Sequence, residues 1–427
     1  MDALENGEMV GLTLVDLSAA FDCVDVDLLL AKTKLYKFSR HTRQFIWSFM
    51  TSRLQVTEIE GSMSSALRVG DVGVAQGSLC GPLWYVLFTS ELPEVVHGEN
   101  CTIAEEPTQN IGEPLGNLGE PPAPWTPKYR IGDSDCGSVV CYADDSSESV
   151  SDSNLEELRI SMETQYNATA SFLTSSRLQV NDGKTHTMLL TTSQNRRLNN
   201  PSLTVTIGEV QQKSSSVERL LGLQLHENLK FREYIQDNDK SLLKSLNTRL
   251  NALKQIKRVT NFSQRLAIAN GIFNSKVVFL ISVWGGTEQY LLDSIQLLIN
   301  KTMRVICKVG KSTKISDLQR MTGWMSIRQS VKYHSLMEAR RILTSQQPAY
   351  LYTKLSTALQ GRQHDHDTRH GGQLAAPRLA LVESSWLHRV VADYLRLPRD
   401  IVELPKRGNR DQAYRRKLRA WVETNTP

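Results

Sequence analysis

The chain has 427 residues, of which 40% are hydrophobic and 22% are charged, a composition ordinary for a folded protein of two or three domains. No hydrophobic run reaches the roughly 18 residues that a membrane-spanning helix needs, and the first residues lack the pattern of a signal peptide. The six cysteines are scattered without a C-x-x-C pair, which argues against a disulfide framework and a zinc site. We therefore expect an intracellular protein, in the cytoplasm or the nucleus.

The net charge of +5 conceals two segments of opposite sign. Residues 240–314 contain 13 Lys and Arg but only 2 Asp and Glu. Residues 91–163 contain 3 Lys and Arg but 16 Asp and Glu. A long basic stretch with few acids indicates a polyanionic partner such as nucleic acid. The alternative is the solvated face of lysine-rich helices.

In chain order, the first predicted element is a buried strand from Leu12 to Leu17. Two segments with helical spacing follow, at 25–38 and 43–54. The glycine-punctuated loop "GVAQGSLCGP" then leads into an apolar helix that ends near Pro93. Residues 95–137 are rich in Pro, Gly and Glu and have no periodicity, so we expect a disordered or loosely packed insertion there.

Ordered structure is expected to resume with the strand "SVVCYA" and an amphipathic helix. Ser153 is the predicted N-cap of that helix, because Glu156 follows it at capping-box spacing. "THTMLLTT" is a predicted strand, and "SLTVTIGEV" and "VERLLGLQL" are predicted to be a pair of strands. The chain is then mostly helical from Asn228 to Gln346, and a polar linker with a basic end occupies residues 347–427.

Three carboxylates stand out by their positions. Asp16 follows the strand "LTLV", and Asp144 and Asp145 follow the strand "VVCYA". Neighbouring residues of a strand point to opposite faces, but at a hairpin turn two adjacent side chains can converge. If the two strands are neighbours, the three carboxylates meet at one edge of a sheet, where cations must offset their repulsion. Mg²⁺ suits such a site because it prefers oxygen ligands and acts in pairs in phosphoryl transfer.

Alone, two aspartates after a strand are more often a turn than a metal site. The order of several motifs, however, resembles the reverse transcriptases of non-LTR (LINE-like) retrotransposons. "VDLSAAFDCVD" is similar to motif A of that family, "GVAQGSLCGPL" to motif B and "YADD" to motif C. "SSRLQVNDGKTHTMLL" looks like motif D, and "LLGLQLHENLKF" looks like motif E, the primer grip. The resemblance extends over nearly the whole chain.

The resemblance implies an α+β fold. A polymerase palm, made of an antiparallel sheet backed by helices, would span residues 1–228, followed by a basic helical thumb at 229–346 and a small C-terminal region at 347–427. It also implies an RNA-directed DNA polymerase that transfers nucleotides from dNTPs to a primer 3′-hydroxyl. The implied partners are an RNA template and a DNA primer, with no membrane, and the implied cofactors are two Mg²⁺ ions, which Mn²⁺ can replace.

The same resemblance assigns roles around the chemistry. Asp16, Asp144 and Asp145 would bind the two metal ions. Lys184 would act on the departing pyrophosphate as a charge stabiliser or proton donor. Without the resemblance, Lys184 is a surface lysine after a turn.

Other residues are assigned to the substrates. Phe21 would lie under the nucleotide sugar and exclude a 2′-hydroxyl, although a core aromatic is an equal alternative. Gln76, Gly77 and Ser78 would line the nucleotide and the template, where glycine lets the backbone approach closely. The alternative for these three residues is a turn that begins a helix. Residues 221–223 would form the primer-grip hairpin.

The sequence also departs from the family pattern. The chain begins almost at motif A, without a fingers region or an endonuclease domain before it. Motif B has Ala75 and Cys80 where the family usually has proline and leucine, and the acidic insertion separates motifs B and C. We therefore expect an N-terminally truncated copy with weak or no polymerase activity by itself.

Two other functions stay open. A catalytically inactive remnant would bind nucleic acid through its basic thumb, without magnesium-dependent extension. Another palm enzyme, such as an RNA-templated RNA polymerase or a nucleotide cyclase, would use NTPs in place of dNTPs. The histidines of "HDHDTRH" (His364, His366 and His370) fit no common zinc spacing, and we assign them to a polar linker.

Overall fold

The computed structural model describes residues 2–97 without 71 and 76, residues 138–360 without 143, 200 and 238, and residues 384–403 and 410–426. Gln76, the histidines of "HDHDTRH" and most of the predicted insertion at 95–137 lie outside these residues. The chain divides into two units, one of Gly7–Ser216 and one of Met1–Asn6 with Val217–Pro427. The two units meet between Ser216 and Val217, and the palm at 1–228 with a thumb at 229–346 stays a prediction.

The strands and helices of the described residues are numbered in chain order. The strands are β1 (Met9–Val15), β2 (Leu17–Ser18), β3 (Leu54–Gln55), β4 (Glu58–Ile59), β5 (Ser62–Met63), β6 (Leu67–Arg68), β7 (Ser138–Tyr142), β8 (Asp145–Asp152), β9 (Gln179–Val180), β10 (His186–Leu190), β11 (Thr204–Ile207), β12 (Val210–Lys213), β13 (Val217–Leu220) and β14 (Leu223–His226). The helices are α1 (Asp2–Glu5), α2 (Val26–Leu35), α3 (Arg40–Met50), α4 (Gly81–Thr89), α5 (Leu92–His97), α6 (Leu155–Ser175), α7 (Ser193–Asn199), α8 (Leu242–Ile256), α9 (Phe262–Ala269), α10 (Ser275–Val278), α11 (Ile281–Trp284), α12 (Gln289–Cys307), α13 (Ile315–Thr322), α14 (Ile327–Ser345), α15 (Ala349–Gln360), α16 (Trp386–Tyr394), α17 (Arg399–Val402) and α18 (Arg410–Asn425).

The first unit is built on an antiparallel sheet with the strand order β10-β1-β8-β7. The apolar strand β1 lies inside the sheet, between β10 and β8, and helix α6 covers one face of β1 and β8. β8 has the polar sequence "DSSESVSD", which was not predicted to be a strand. It is nevertheless a strand because it pairs with a neighbour on each side.

Helix α6 begins one residue later than predicted. Asn154, and not Ser153, is its N-cap, because the Asn154 side chain accepts a hydrogen bond of 2.8 Å from the backbone N–H of Glu156. Either side chain can cap a helix, so the sequence did not distinguish them. The helix is amphipathic as predicted, and its buried residues include Leu158, Met162, Tyr166 and Leu173.

The segments "SLTVTIGEV" and "VERLLGLQL" do not pair with each other. β11 pairs with β12, and β13 pairs with β14, so each segment contributes to a hairpin of its own. Two-residue connections make local pairing easy, and such connections occur at 208–209 and 221–222. The β13–β14 hairpin belongs to the second unit.

After this hairpin the second unit is helical, as predicted for residues 228–346. One core cluster surrounds Phe273 and Trp284 and joins α8, α12 and the short helices between them. A second cluster joins α14 with α15, α16 and α18 around Leu355 and Tyr414. None of the helices in the described ranges has both the length and the hydrophobicity that crossing a bilayer requires. The predicted α+β fold is confirmed.

Candidate active site

Asp16 and Asp145 lie beside each other where two strands of the central sheet meet. The register pairs Val15 of β1 with Ser146 of β8, and Asp16 directly follows Val15 while Asp145 directly precedes Ser146. The charge of Asp16 contributes to the raised pKa of Asp145, after burial and the charge of Asp144, which indicates that the two carboxylates are near each other. Val15 and Ser146 are buried, whereas Asp16 is half-buried and Asp145 is exposed. Because side chains alternate along a strand, both carboxylates lie on the face opposite Val15 and Ser146.

Asp144 completes a cluster of three carboxylates. It is exposed in the tight turn between β7 and β8, next to the pair formed by Tyr142 and Asp145. Burial, followed by the charges of Asp144 and Asp16, raises the pKa of Asp145 above its ordinary value. We call Asp16, Asp144 and Asp145 the carboxylate cluster.

The chemistry of the carboxylate cluster fits a hard metal ion. The part of the chain that the structure describes contains no three His, Cys, Asp or Glu side chains that already converge on one ion position. It does contain three oxygen donors whose mutual repulsion a cation would relieve. Asp144 and Asp145 are exposed, so their carboxylates can rotate toward a shared ion without disturbing the core.

The backbone of Asp16 is held by the turn "NDGKT". The Asp16 N–H donates to the Thr185 hydroxyl at 3.3 Å, and the Asp16 carbonyl accepts from the Asn181 N–H at 2.9 Å. Lys184 lies in this turn and is exposed, and its N–H donates to the Asn181 carbonyl at 3.0 Å. Thr185 and Asn181 were not predicted as site residues, because their contacts with Asp16 are invisible in the sequence.

Phe21 lies beside the carboxylate cluster in a short 3-10 helix, Ala20–Cys23. Its ring is half-buried, and its centroid is 4.8 Å from that of Tyr85, which is buried on α4. Burial, followed by the charge of Asp144, raises the pKa of Tyr85, which links this aromatic pair to the cluster. Tyr85 was missed because "LWYVLF" has the pattern of an ordinary apolar helix.

The loop before α4 is joined to the 3-10 helix by two hydrogen bonds. The Val74 N–H donates to the Phe21 carbonyl and the Gly73 N–H donates to the Val24 carbonyl, both at 2.8 Å. Gly73 has a φ of +81°, and a Cβ atom there would lie 2.8 Å from the Asp22 carbonyl oxygen. This position therefore requires glycine both for its backbone conformation and for the close approach.

Two of the residues predicted to line the nucleotide are described. Gly77 is exposed with a φ of +80°, and open space surrounds the position of a Cβ atom. The Ser78 hydroxyl accepts a hydrogen bond of 3.0 Å from the Gly81 N–H at the start of α4. Both residues therefore lie in a turn that begins a helix, and open space is found at Gly77.

The predicted primer-grip residues form the tip of the β13–β14 hairpin. Leu221 and Gly222 both have a positive φ, of 48° and 82°, which is typical of a two-residue hairpin turn. The Phe279 ring packs on this tip, 3.5 Å from the position of a Cβ atom on Gly222. Leu221 and Phe279 are each about two-fifths exposed, so the tip has an accessible apolar surface.

Three cations lie together next to this tip. The Lys276 ammonium is 5.3 Å from the centroid of the Phe279 ring. Burial, followed by the charges of Arg249 and Arg219, lowers the pKa of Lys276. We call Arg219, Arg249 and Lys276 the cationic cluster, and its crowded charges are suited to a polyanion.

Two curated proteins of mobile elements are similar to the chain. The RNA-directed DNA polymerase from mobile element jockey of Drosophila funebris is 25% identical over 321 residues, which are 75% of this chain and 31% of that protein. The probable RNA-directed DNA polymerase from transposon BS of Drosophila melanogaster is 22% identical over 342 residues, which are 80% of this chain and 34% of that protein. The chain spans about a third of the length of these relatives. The predicted resemblance to reverse transcriptases of mobile elements is confirmed.

Two solved structures of telomerase in complex with a TWJ fragment of telomeric RNA are also similar. The Candida tropicalis structure has 10% identity and a TM-score of 0.36, over 98% of this chain and 50% of that chain. The Candida albicans structure has 14% identity and a TM-score of 0.29, and the match covers 74% of this chain and 50% of that chain.

The sequence model of one family, described as reverse transcriptase (RNA-dependent DNA polymerase), matches residues 2–225. The matched region runs from before β1 into the β13–β14 hairpin and includes the whole carboxylate cluster. This match covers more than half of the chain, which therefore belongs to the reverse transcriptase family.

Proposed function

We propose that the chain is the palm and thumb part of a retrotransposon RNA-directed DNA polymerase. It would transfer nucleotides from dNTPs to the 3′-hydroxyl of a primer paired with an RNA template. The observation that carries this proposal is the register that places Asp16 and Asp145 directly beyond the paired Val15 and Ser146, with Asp144 in the adjoining turn. In a reverse transcriptase, such a group of oxygen donors is suited to nucleotidyl transfer.

The proposed site would act through charge and positioning. Two Mg²⁺ ions held by the carboxylate cluster would supply charge neutralisation for in-line phosphoryl transfer. Asn181 and Thr185 fix the backbone of Asp16, so its carboxylate starts from a defined position. Lys184 is exposed in the same turn, where its ammonium could donate a proton to the pyrophosphate that leaves.

Phe21 is the proposed selector of deoxynucleotides. Its ring is supported by Tyr85 on one side and is half-exposed, so packing and substrate contact are compatible. A rigid ring under the sugar leaves no room for a 2′-hydroxyl. Phe21→Val should therefore increase the use of NTPs relative to dNTPs, which competition between the two nucleotides in primer extension measures.

The thumb is proposed to hold the template–primer duplex by its backbone. The cationic cluster lies beside the hairpin tip. Burial and then repulsion from Arg249 and Arg219 lower the pKa of Lys276, and an anionic phosphate there would relieve the repulsion. Such contacts neutralise phosphates without reading bases, so binding should depend strongly on salt and weakly on sequence.

Primer extension on an RNA template with Mg²⁺ tests the proposal. Wild-type protein should extend the primer with dNTPs, and Asp16→Asn or Asp144→Asn should lower the rate at least about a hundredfold. Asp27→Asn is the matched control, because Asp27 is exposed on α2, outside the carboxylate cluster. Robust extension that survives Asp16→Asn would contradict the proposal.

A nucleic-acid-binding remnant is the second candidate. It is favoured by the cationic cluster, which lies in the second unit and needs no metal to bind phosphates. It predicts salt-dependent binding of an RNA–DNA duplex by wild-type protein, with no extension at any Mg²⁺ concentration. The same assay therefore distinguishes the two functions.

A further inference from the structure

On the helix-covered face of the central sheet, three polar side chains form a row across three strands. The register aligns Glu148 of β8 with Thr13 of β1, and Thr13 with Thr187 of β10. These residues are 1%, 1% and 2% exposed, respectively. We call Thr13, Glu148 and Thr187 the polar row. It lies among buried apolar residues of the same core, such as Met162 and Val150.

Helix α6 places two more polar side chains on this face. Thr169 is fully buried, and Gln165, one helical turn before it, is 8% exposed. Within the described part of the chain, no protein group hydrogen-bonds to either carboxylate oxygen of Glu148. The same holds for the Gln165 amide nitrogen and for the hydroxyls of Thr169 and Thr187. An ionised carboxylate is very costly in such surroundings, so Glu148 must acquire a proton or a cation there.

The charges around Glu148 favour the proton. Burial raises its pKa to about 7, and the Thr169 hydroxyl, which lies outside hydrogen-bond geometry, opposes this only partly. The nearby titratable groups are Tyr166 on α6 and Cys141 on β7. Burial is the main cause that raises the pKa of each, and the negative charge of Glu148 adds to it. Tyr166 in turn donates a hydrogen bond to Asp182. In the described structure, no Lys, Arg or His side chain forms an ion pair with Glu148.

We infer that the polar row, with Gln165 and Thr169, is an internal proton-binding site in which Glu148 is a neutral acid surrounded by hydroxyl and amide groups. The occupant is a proton taken from solvent, and a monovalent cation is the competing occupant. This inference does not depend on the proposed polymerase activity, because it concerns the core of the sheet. It is nevertheless close to the candidate active site, since Glu148 and Asp145 lie on opposite faces of β8.

The direction of the pH effect follows from linkage. The pKa of Glu148 in the folded protein, about 7, lies above its ordinary value of 4.5. Protonated Glu148 therefore favours the folded state at low pH, and this contribution is lost as the pH rises through about 7. Above that pH, a buried negative charge lies behind the carboxylate cluster and weakens the packing of β8 against α6.

Infrared difference spectroscopy of the full chain, from about pH 6 to about pH 9, tests this inference directly, since this range spans the expected titration. Wild-type protein should lose the band of a protonated carboxylic acid over this range. Glu148→Gln should lack that band throughout, whereas Glu157→Gln, which changes an exposed residue of α6, should keep it. Absence of a titrating band in wild-type protein would overturn the inference even if Glu148→Gln did not fold.

Thermal unfolding provides a second measurement. The Tm of wild-type protein should fall between about pH 6 and about pH 9. This decrease should be roughly 3 °C larger than the decrease in the Tm of Glu148→Gln over the same range. Replacing KCl or NaCl by choline chloride at the higher pH should not change the wild-type midpoint. A lower midpoint in choline would show that a metal cation, and not a proton, occupies the site, and equal pH responses of the two proteins would also overturn the inference.

Discussion

Asp145 and Asp16 lie directly beyond the last residue pair of the β1–β8 ladder, and the pKa of Asp145 is raised by burial and by the charges of Asp144 and Asp16. A carboxylate in this position retains its proton to a higher pH than an isolated one. The same repulsion that retains the proton makes a divalent cation a favourable replacement. Proton binding and metal binding at this cluster are therefore competing events.

Metal affinity should consequently increase with pH. Protons compete for Asp145, so the affinity for Mn²⁺ or Mg²⁺ should fall as the pH decreases through the raised pKa of that residue. Asp144→Asn removes one cause of the raised pKa, so the remaining affinity should be weaker and its pH dependence should shift to lower pH. Titration calorimetry with Mn²⁺ at several pH values measures both effects. A pH-independent affinity, or one unchanged by Asp16→Asn, would contradict this coupling.

Gly73 and Gly77, which have nearly the same positive φ, should differ in their tolerance of alanine. Gly77→Ala should cost about 1–2 kcal/mol of unfolding free energy, the cost of a positive φ alone, since open space surrounds it. Gly73→Ala should cost roughly 2–5 kcal/mol, because its Cβ atom would also collide with the backbone of Asp22. Thermal unfolding of both variants measures the difference. Equal destabilisation would show that the contact with Asp22 is unimportant.

Lys32 is a buried cation that no sequence pattern identified. Its ammonium donates to the Phe88 carbonyl at 2.6 Å, pairs with Glu91 at 2.7 Å and lies 5.0 Å from the centroid of the Phe172 ring. Lys32→Met should destabilise the first unit by about 3–5 kcal/mol, because it leaves Glu91 and the carbonyl without their cation. Denaturant unfolding measures this loss. The double variant Lys32→Met with Glu91→Leu should recover part of the stability, and no recovery would argue against a charge effect.

Lys276 should contribute to nucleic-acid binding through its charge. Lys276→Gln should lower the affinity for an RNA–DNA duplex and reduce the slope of log K against log salt by about one. Lys244→Gln is the matched control, because Lys244 is an exposed lysine of the same unit that already pairs with Asp239. Fluorescence anisotropy at several salt concentrations provides the slope. Equal slopes for the two variants would show that Lys276 does not contact a phosphate.

The hydroxyl of Thr185 should matter for the position of Asp16. Thr185→Val removes the acceptor of the Asp16 N–H and should cost about 1 kcal/mol of stability, with a reduced extension rate and unchanged duplex affinity. Thr191→Val is the control, because the buried Thr191 hydroxyl has no protein partner in the described structure, and its loss should be neutral or stabilising. If the two variants behaved alike in unfolding and extension, the bond to Asp16 would carry no function.

The sequence identified the carboxylates because each follows an apolar strand, and it predicted helix α6 and the helical second unit from periodicity. It did not identify β8 as a strand. The polar run from Asp145 to Asp152 has a strand conformation only because β1 and β7 supply its hydrogen bonds, and this pairing is a tertiary property. The roles of Thr185, Tyr85 and Gly73 were missed for the same reason, since their partners are distant in sequence.

The position of β1 between β8 and β10 has a consequence for the order of assembly. β1 leaves the ribosome before β8, which ends at Asp152, and before β10, which ends at Leu190. The hydrogen bond between Asp16 and Thr185 spans 169 residues of sequence. Contacts of such long range form late, so a nascent or cleaved chain that ends before Thr185 would contain every aspartate of the cluster and still lack the arrangement that unites them.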